Sequence, residues 1–175
     1  MSSRDINDLS PGFRAQIEIM LSEAEFIGFD LLIYCTHRSL EAQARLYRNG
    51  RTLGQIQAKA DQLTQQFNRQ DLAMLLMDVG PQHGKKILTH AAPGQSYHNY
   101  GLAVDAVPLR EGKPVWTIKD EADKALWVEL GKLASHVSAE WGGNWDYFTD
   151  YPHIQQANVN WRELITGAVI AVNKT

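Results

Sequence analysis

Two short stretches constrain this chain more than any others. Residues 95–105, Gln-Ser-Tyr-His-Asn-Tyr-Gly-Leu-Ala-Val-Asp, place His98 and Asp105 seven residues apart with Gly101 between them. Asp150-Tyr151-Pro152-His153 comes much later. Together they hold two imidazoles and one carboxylate that could share a cation, plus a spare carboxylate. That is the inventory of a catalytic zinc centre: three protein ligands, an open position for water and a nearby base. A single His followed by a single Asp is ordinarily uninformative. Here Ser96, Gly101 and the later Asp-x-Pro-His accompany them.

The local order has a physical logic. Asn99-Tyr100-Gly101 predicts a turn, with Gly101 free to adopt backbone angles that other residues resist. Leu102-Ala103-Val104 predicts a short buried strand that delivers Asp105 from a rigid element. A carboxylate in such a strand is costly without a partner, and a metal removes the cost. Pro152 fixes its own backbone and biases Tyr151 toward an extended conformation. Asp150 and His153 are therefore expected on a stiff segment, as a well-defined site requires.

These stretches resemble the zinc D,D-carboxypeptidase and L-alanyl-D-glutamate peptidase family, which cuts peptidoglycan stem peptides. The family pattern is Ser-x-His, then Gly, then Asp, with an acidic residue later, two positions before a Trp-His or Pro-His pair. Ser96-Tyr97-His98, Gly101, Asp105 and Asp150-Tyr151-Pro152-His153 match it. Thr36-His37-Arg38-Ser39 with Gln43 resembles the family's Tyr-Arg-Ser segment and its downstream Gln. Trp141-Gly142-Gly143-Asn144-Trp145 resembles the tryptophan-glycine turn before the last ligand. The likeness covers roughly 33–50 and 87–155. Within the family it points to single-domain phage endolysins.

The resemblance implies one zinc ion per chain, held by His98, Asp105 and His153. It implies Asp150 as general base, with a fourth ligand or a partner behind the ligands as alternative roles. It places Arg38 at the oxyanion, where a guanidinium suits because it stays charged and donates in a fixed fork. Gln43 would support the site from a helix and Ser96 would contact substrate. On composition alone, Arg38 reads as a surface cation and Ser96 as a loop hydroxyl. The implied reaction is hydrolysis of the L-alanyl-D-glutamate bond of the stem. Removal of a terminal D-alanine remains open, and so does a non-catalytic zinc-containing wall-binding module. Intact Asp150 and Arg38 argue against the last. The implied fold is α+β: a small antiparallel sheet carrying the zinc site, flanked by helices, with a helical insertion at about 54–80.

The remaining bounds agree with such a chain. Its 175 residues suit a single domain, 1–175, with no separate wall-binding domain. Hydrophobic residues make up 44% and charged residues 21%, ordinary for a globular protein. A net charge of -3 gives no electrostatic case for nucleic acid. Cys35 is the single cysteine, so no internal disulfide forms. The N-terminus lacks a hydrophobic signal core and no apolar run is long enough to span a bilayer. The expectation is a monomer made in the host cytoplasm, without stable membrane insertion, that reaches cell-wall peptidoglycan after release.

Along the chain, Ser10-Pro11 predicts a helix start, with Phe13, Ile17, Met20, Leu21 and Ala24 as its apolar stripe and Gly28 as its stop. Leu31–Cys35 predicts a buried strand ending in an inert thiol. Ser39 predicts the cap of a helix to about Arg48. In the insertion, Ile56, Ala60, Leu63 and Phe67 form one stripe and Leu72, Leu75, Leu76 and Val79 another, with Asp71 capping the second helix. That pair of helices reads either as a hairpin on the domain flank or as a lid beside the cleft. His83, His90 and His136 match no ligand position. Residues 108–114 read as a turn-rich loop. Asp120 predicts the cap of a helix to about Val137 with Leu126, Leu130, Leu133 and Val137 on one face. Trp141 and Trp145 read equally as core or as cleft wall. Asn160 predicts the cap of a closing helix carrying Trp161, Leu164, Ile165, Ala168 and Val169.

Overall fold

The computed structural model describes residues 1–80 and 84–167. His83, Ala168 and Val169 lie outside the described residues. The architecture is α+β, as expected, with helices and one small antiparallel sheet. The chain forms two compact units. One holds residues 1–2 and 38–100 and the described part of the segment beginning at Val159. The other holds residues 3–37 and 101–158.

The first unit is helical. Ser39 accepts from the Ala42 amide and starts α2 (Leu40–Arg48). Thr52 and Gln55 close a reciprocal capping box at the head of α3 (Leu53–Phe67), and Asn68, left-handed at φ 54°, ends it. The cap of α4 (Gln70–Asp78) corrects the sequence reading. Arg69 occupies the cap position, and Asp71 sits in the first turn, where it grips Arg69. A carboxylate is favoured there by the helix dipole, and both its oxygens hold the Arg69 guanidinium. Asn160 caps the short α6 (Trp161–Thr166) as expected. Ile56, Ala60, Leu63, Leu72 and Leu76 pack with Ala44 and Tyr47 of α2 and Ile165 of α6. The inserted helices thus build this unit's core, each large aliphatic side chain contributing about 1.5–3 kcal/mol of burial. Buried Arg48 donates to the Leu76 and Met77 carbonyls, satisfying the end of α4.

The second unit carries the sheet. Its order is β1 (Leu31–Cys35), β2 (Ala103–Arg110), β5 (His153–Gln156), β4 (Ala139–Trp141), with β3 (Lys113–Pro114) also paired to β2. The expected loop at 108–114 is instead a hairpin. β2 runs on to Arg110, and Glu111 and Gly112, at φ 53° and 72°, turn the chain into β3. Two positive φ values match the twist of the flanking strands. Helices α1 (Pro11–Phe26) and α5 (Glu121–His136) start at Ser10-Pro11 and Asp120, as expected. Phe13, Ile17 and Met20 of α1 meet Trp127, Leu130 and Leu133 of α5 and Val104, Ile154 and Trp141 of the sheet. Trp127 is the core aromatic that the expected stripe on α5 omitted, while Leu126 is half-buried.

Candidate functional site

Strand alternation places the polar residues of the second unit on one face. Side chains reverse sides at every residue, and directly paired residues share a side. Val104, Ile154 and Trp141 form one register row and enter the core. The next row is Cys35, Asp105 and His153, paired across β1, β2 and β5. Asp105 Oδ1 lies 3.3 Å from His153 Nδ1, with the two side chains 14% and 11% exposed. The Cys35 thiol is buried and within 4.8 Å of the Asp105 carboxylate.

Asp150 is held beside this row through the backbone. Its carbonyl accepts from the His153 amide at 3.1 Å, so Asp150–His153 is a closed turn rather than an extended run. Its amide donates to the Gly142 carbonyl at 3.1 Å. Of the two tryptophans of the glycine turn, the first takes the core role. Trp141 is core, its indole donating to the Tyr151 carbonyl at 2.7 Å. Trp145 lies against the His153 ring at 5.2 Å between centroids.

Two residues near the row, Gln155 and Glu140, were not picked out in the sequence as site residues. His153 Nε2 contacts Gln155 Oε1 at 3.0 Å, Gln155 Nε2 donates to Glu140 Oε2 at 3.2 Å, and Glu140 Oε1 accepts from the Trp145 indole at 2.5 Å. Gln155 had a readable signal, since two residues beyond His153 on a strand is the same face. Glu140 had none, because its place depends on the β4–β5 register.

In the first unit, Arg38 and Gln43 come together. Arg38 Nη1 donates to Gln43 Oε1 at 3.0 Å. Gln43 is fully buried and donates from Nε2 to the Ala91 carbonyl at 2.7 Å. The Arg38 amide donates to the His98 carbonyl at 3.0 Å, and Asn99 Nδ2 donates to the Arg38 carbonyl at 2.8 Å. His98 and Ser96 are both buried, on and just before the single turn Tyr97–Tyr100. The Tyr100 hydroxyl donates to the Gly94 carbonyl, and burial pushes this phenol above its ordinary value against the pull of Arg69. Gly101 opens the second unit at φ 65°, where a Cβ would stand 2.8 Å from the Asp8 carbonyl oxygen. The glycine of the motif is thus required both by its conformation and by close packing.

The donor set fits zinc. Imidazole nitrogen and carboxylate oxygen are among its usual ligands. Two ligands about 2.0–2.1 Å from a tetrahedral ion stand about 3.3 Å apart, the separation seen between Asp105 and His153.

A family model described as D-alanyl-D-alanine carboxypeptidase matches residues 89–156. The chain is 30% identical over 155 residues to the peptidoglycan L-alanyl-D-glutamate endopeptidase CwlK of Bacillus subtilis (strain 168). That match spans 85% of this chain and 74% of that protein. Among solved structures, the L-Ala D-Glu endopeptidase ChiX of Serratia marcescens matches with a TM-score of 0.44 and 17% identity, over 89% of this chain and 88% of that one. The assignment rests on the Bacillus protein. The chain belongs to the zinc D,D-carboxypeptidase and L-alanyl-D-glutamate peptidase family, and it is a metallopeptidase.

Proposed function

We propose that this chain is a zinc-dependent endopeptidase that hydrolyses the L-alanyl-D-glutamate bond of the peptidoglycan stem. The observation that carries the reading is the carboxylate–imidazole pair of Asp105 and His153 at ligand spacing, with Asp150 locked by the adjoining turn. Asp105 and His153 would hold the ion, and the family motif assigns His98 as the third ligand. Zinc supplies a Lewis acid and an acidified water. Asp150 takes the proton of the attacking water and returns it to the leaving amine. Arg38 donates to the oxyanion that develops on the scissile carbonyl. Gln43 keeps the guanidinium in place through the bond from Nη1, and Ser96 contacts the stem peptide.

The test is mass spectrometry of fragments released from purified Gram-negative peptidoglycan by the zinc-loaded protein. Free stems that begin at D-glutamate, with L-alanine left on the glycan, are expected. The description of the matching family model favours a second reading, removal of a terminal D-alanine. Loss of that residue alone would replace the first reading with the second. Absence of any product despite bound zinc would leave a wall-binding module.

The proposal extends to cell-wall lysis in the manner of a phage endolysin, by a monomer made in the host cytoplasm and released to the wall. It is motivated by the likeness of the motifs to single-domain phage endolysins. Clearing of permeabilised Gram-negative cells by the purified chain is the expected result, and intact cells alongside cleaved stems in isolated wall would refute it.

A further inference from the structure

A polar chain that begins at Glu140 runs behind His153 and bears on which ring nitrogen carries the hydrogen. A carboxylate only accepts hydrogen bonds. Glu140 accepts from the Trp145 indole at one oxygen and from Gln155 Nε2 at the other. The Gln155 amide is oriented as a result. With its NH2 directed at Glu140, its carbonyl Oε1 is what faces His153 Nε2 at 3.0 Å. Two acceptors cannot make that contact, so Nε2 bears the hydrogen. In the neutral ring Nδ1 then carries the lone pair, and it faces Asp105 Oδ1 at 3.3 Å. The zinc ion of the proposed function would sit between these two electron-rich atoms.

We propose that Glu140, acting through Gln155, is the positioning residue that holds His153 as its Nε2–H tautomer and so presents Nδ1 to the metal. The inference rests on His153 being a zinc ligand. It adds which nitrogen ligates and which remote carboxylate decides it. His153 and Gln155 are 8% and 6% exposed, so water does not readily replace either partner. Hydrogen-bond partners behind a metal-bound imidazole set its tautomer, and losing one typically weakens the metal by 10–100-fold.

The chain of amides makes the proposal testable by a one-atom change. In Glu140→Gln, the new side chain would still accept from Trp145 through its oxygen, but would present NH2 where Oε2 stood. Gln155 would turn over to accept it and direct its own NH2 at Nε2. The ring would then be driven to carry its hydrogen on Nδ1, the ligating position. Adding Gln155→Glu restores an acceptor behind Nε2, because that carboxylate accepts from both neighbours.

The experiment measures zinc affinity by chelator competition and the His153 ring by two-bond proton–nitrogen correlation in zinc-loaded protein. Wild type should show hydrogen on Nε2. Glu140→Gln should bind zinc about 10–100-fold more weakly, and Glu140→Gln/Gln155→Glu should recover both the affinity and the ring signal. A merely structural role for Glu140 gives no such recovery. Hydrogen on Nδ1 in the zinc-loaded wild type, unchanged affinity in the single variant, or a double variant as weak as the single one would each overturn the proposal. If zinc binds wild type and His153→Ala equally, the ligand assignment itself fails and this inference falls with it.

Discussion

Gly142 lies so close to Asp150 that a Cβ on it would stand 2.5 Å from the Asp150 carbonyl oxygen and 3.3 Å from the Cβ atoms of Asp150 and His153. The nearest of these is backbone, which cannot swing aside as the end of a long side chain can. Gly142→Ala should therefore push the 150–153 turn away while the core of the second unit stays packed. A displacement near 1 Å costs about 10²-fold in rate. We expect a folded protein by circular dichroism whose kcat on peptidoglycan falls by about that factor. An unaltered kcat would show that the turn absorbs a methyl group without moving Asp150.

Asp150→Asn separates proton transfer from metal binding. A positioned general acid–base contributes about 10²–10⁴-fold. Turnover should fall by that amount while zinc, measured by elemental analysis, stays at the wild-type level. Zinc lost together with activity would make Asp150 a ligand instead.

Gln43 stands at the centre of a buried polar cluster, its carbonyl taken by Arg38 and its amide by the Ala91 carbonyl. Gln43→Leu strands both partners and should destabilise the first unit by about 1–3 kcal/mol in denaturant titration. It should also lower kcat/KM, because Arg38 loses its fixed partner. Gln43→Glu keeps the acceptor for Arg38 and should retain more activity than its loss of stability suggests. Equal activity in the two variants would mean that Arg38 is held by other contacts.

The Arg69–Asp71 pair gives a pH dependence of known sign. Hydrogen bonds from Arg69 hold the Asp71 carboxyl below its ordinary value. A depressed folded value means that the stabilisation is complete above the unfolded one, about 3.9, and is lost as pH falls through the folded value beneath it. The Asp71 side chain is 63% exposed, so the pair is worth roughly 0.2–1 kcal/mol. Asp71→Asn should be less stable than wild type by that amount near neutrality. The gap in unfolding midpoints should close in strong acid. A gap that persists there would assign it to something other than the ion pair.

What could be read in the sequence was what neighbouring residues decide. Ser10-Pro11, Ser39, Asp120 and Asn160 each mark a helix start because capping is settled within one turn of chain. The ligand-bearing strand was visible from Leu102-Ala103-Val104, although β2 continues well beyond it. Asp71 was misread because α4 starts two residues earlier, with Arg69 at the cap and the Asp71 carboxylate paired to it. The β2–β3 hairpin was hidden because Glu111-Gly112 is a weaker turn signal than Asn-Gly or Asp-Gly. The Glu140–Gln155–His153 chain lay further out of reach. It depends on β4 and β5 meeting in one register, and a slip of one residue would turn the entire row over.

That register has a consequence for when the protein becomes active. Cys35 meets Asp105 only after all of α2–α4 has been spanned, and Asp105 meets His153 only when β5 joins the sheet. Each closure spends loop entropy before strand pairing returns it. A growing chain therefore cannot complete the Cys35–Asp105–His153 row until β5 has left the ribosome.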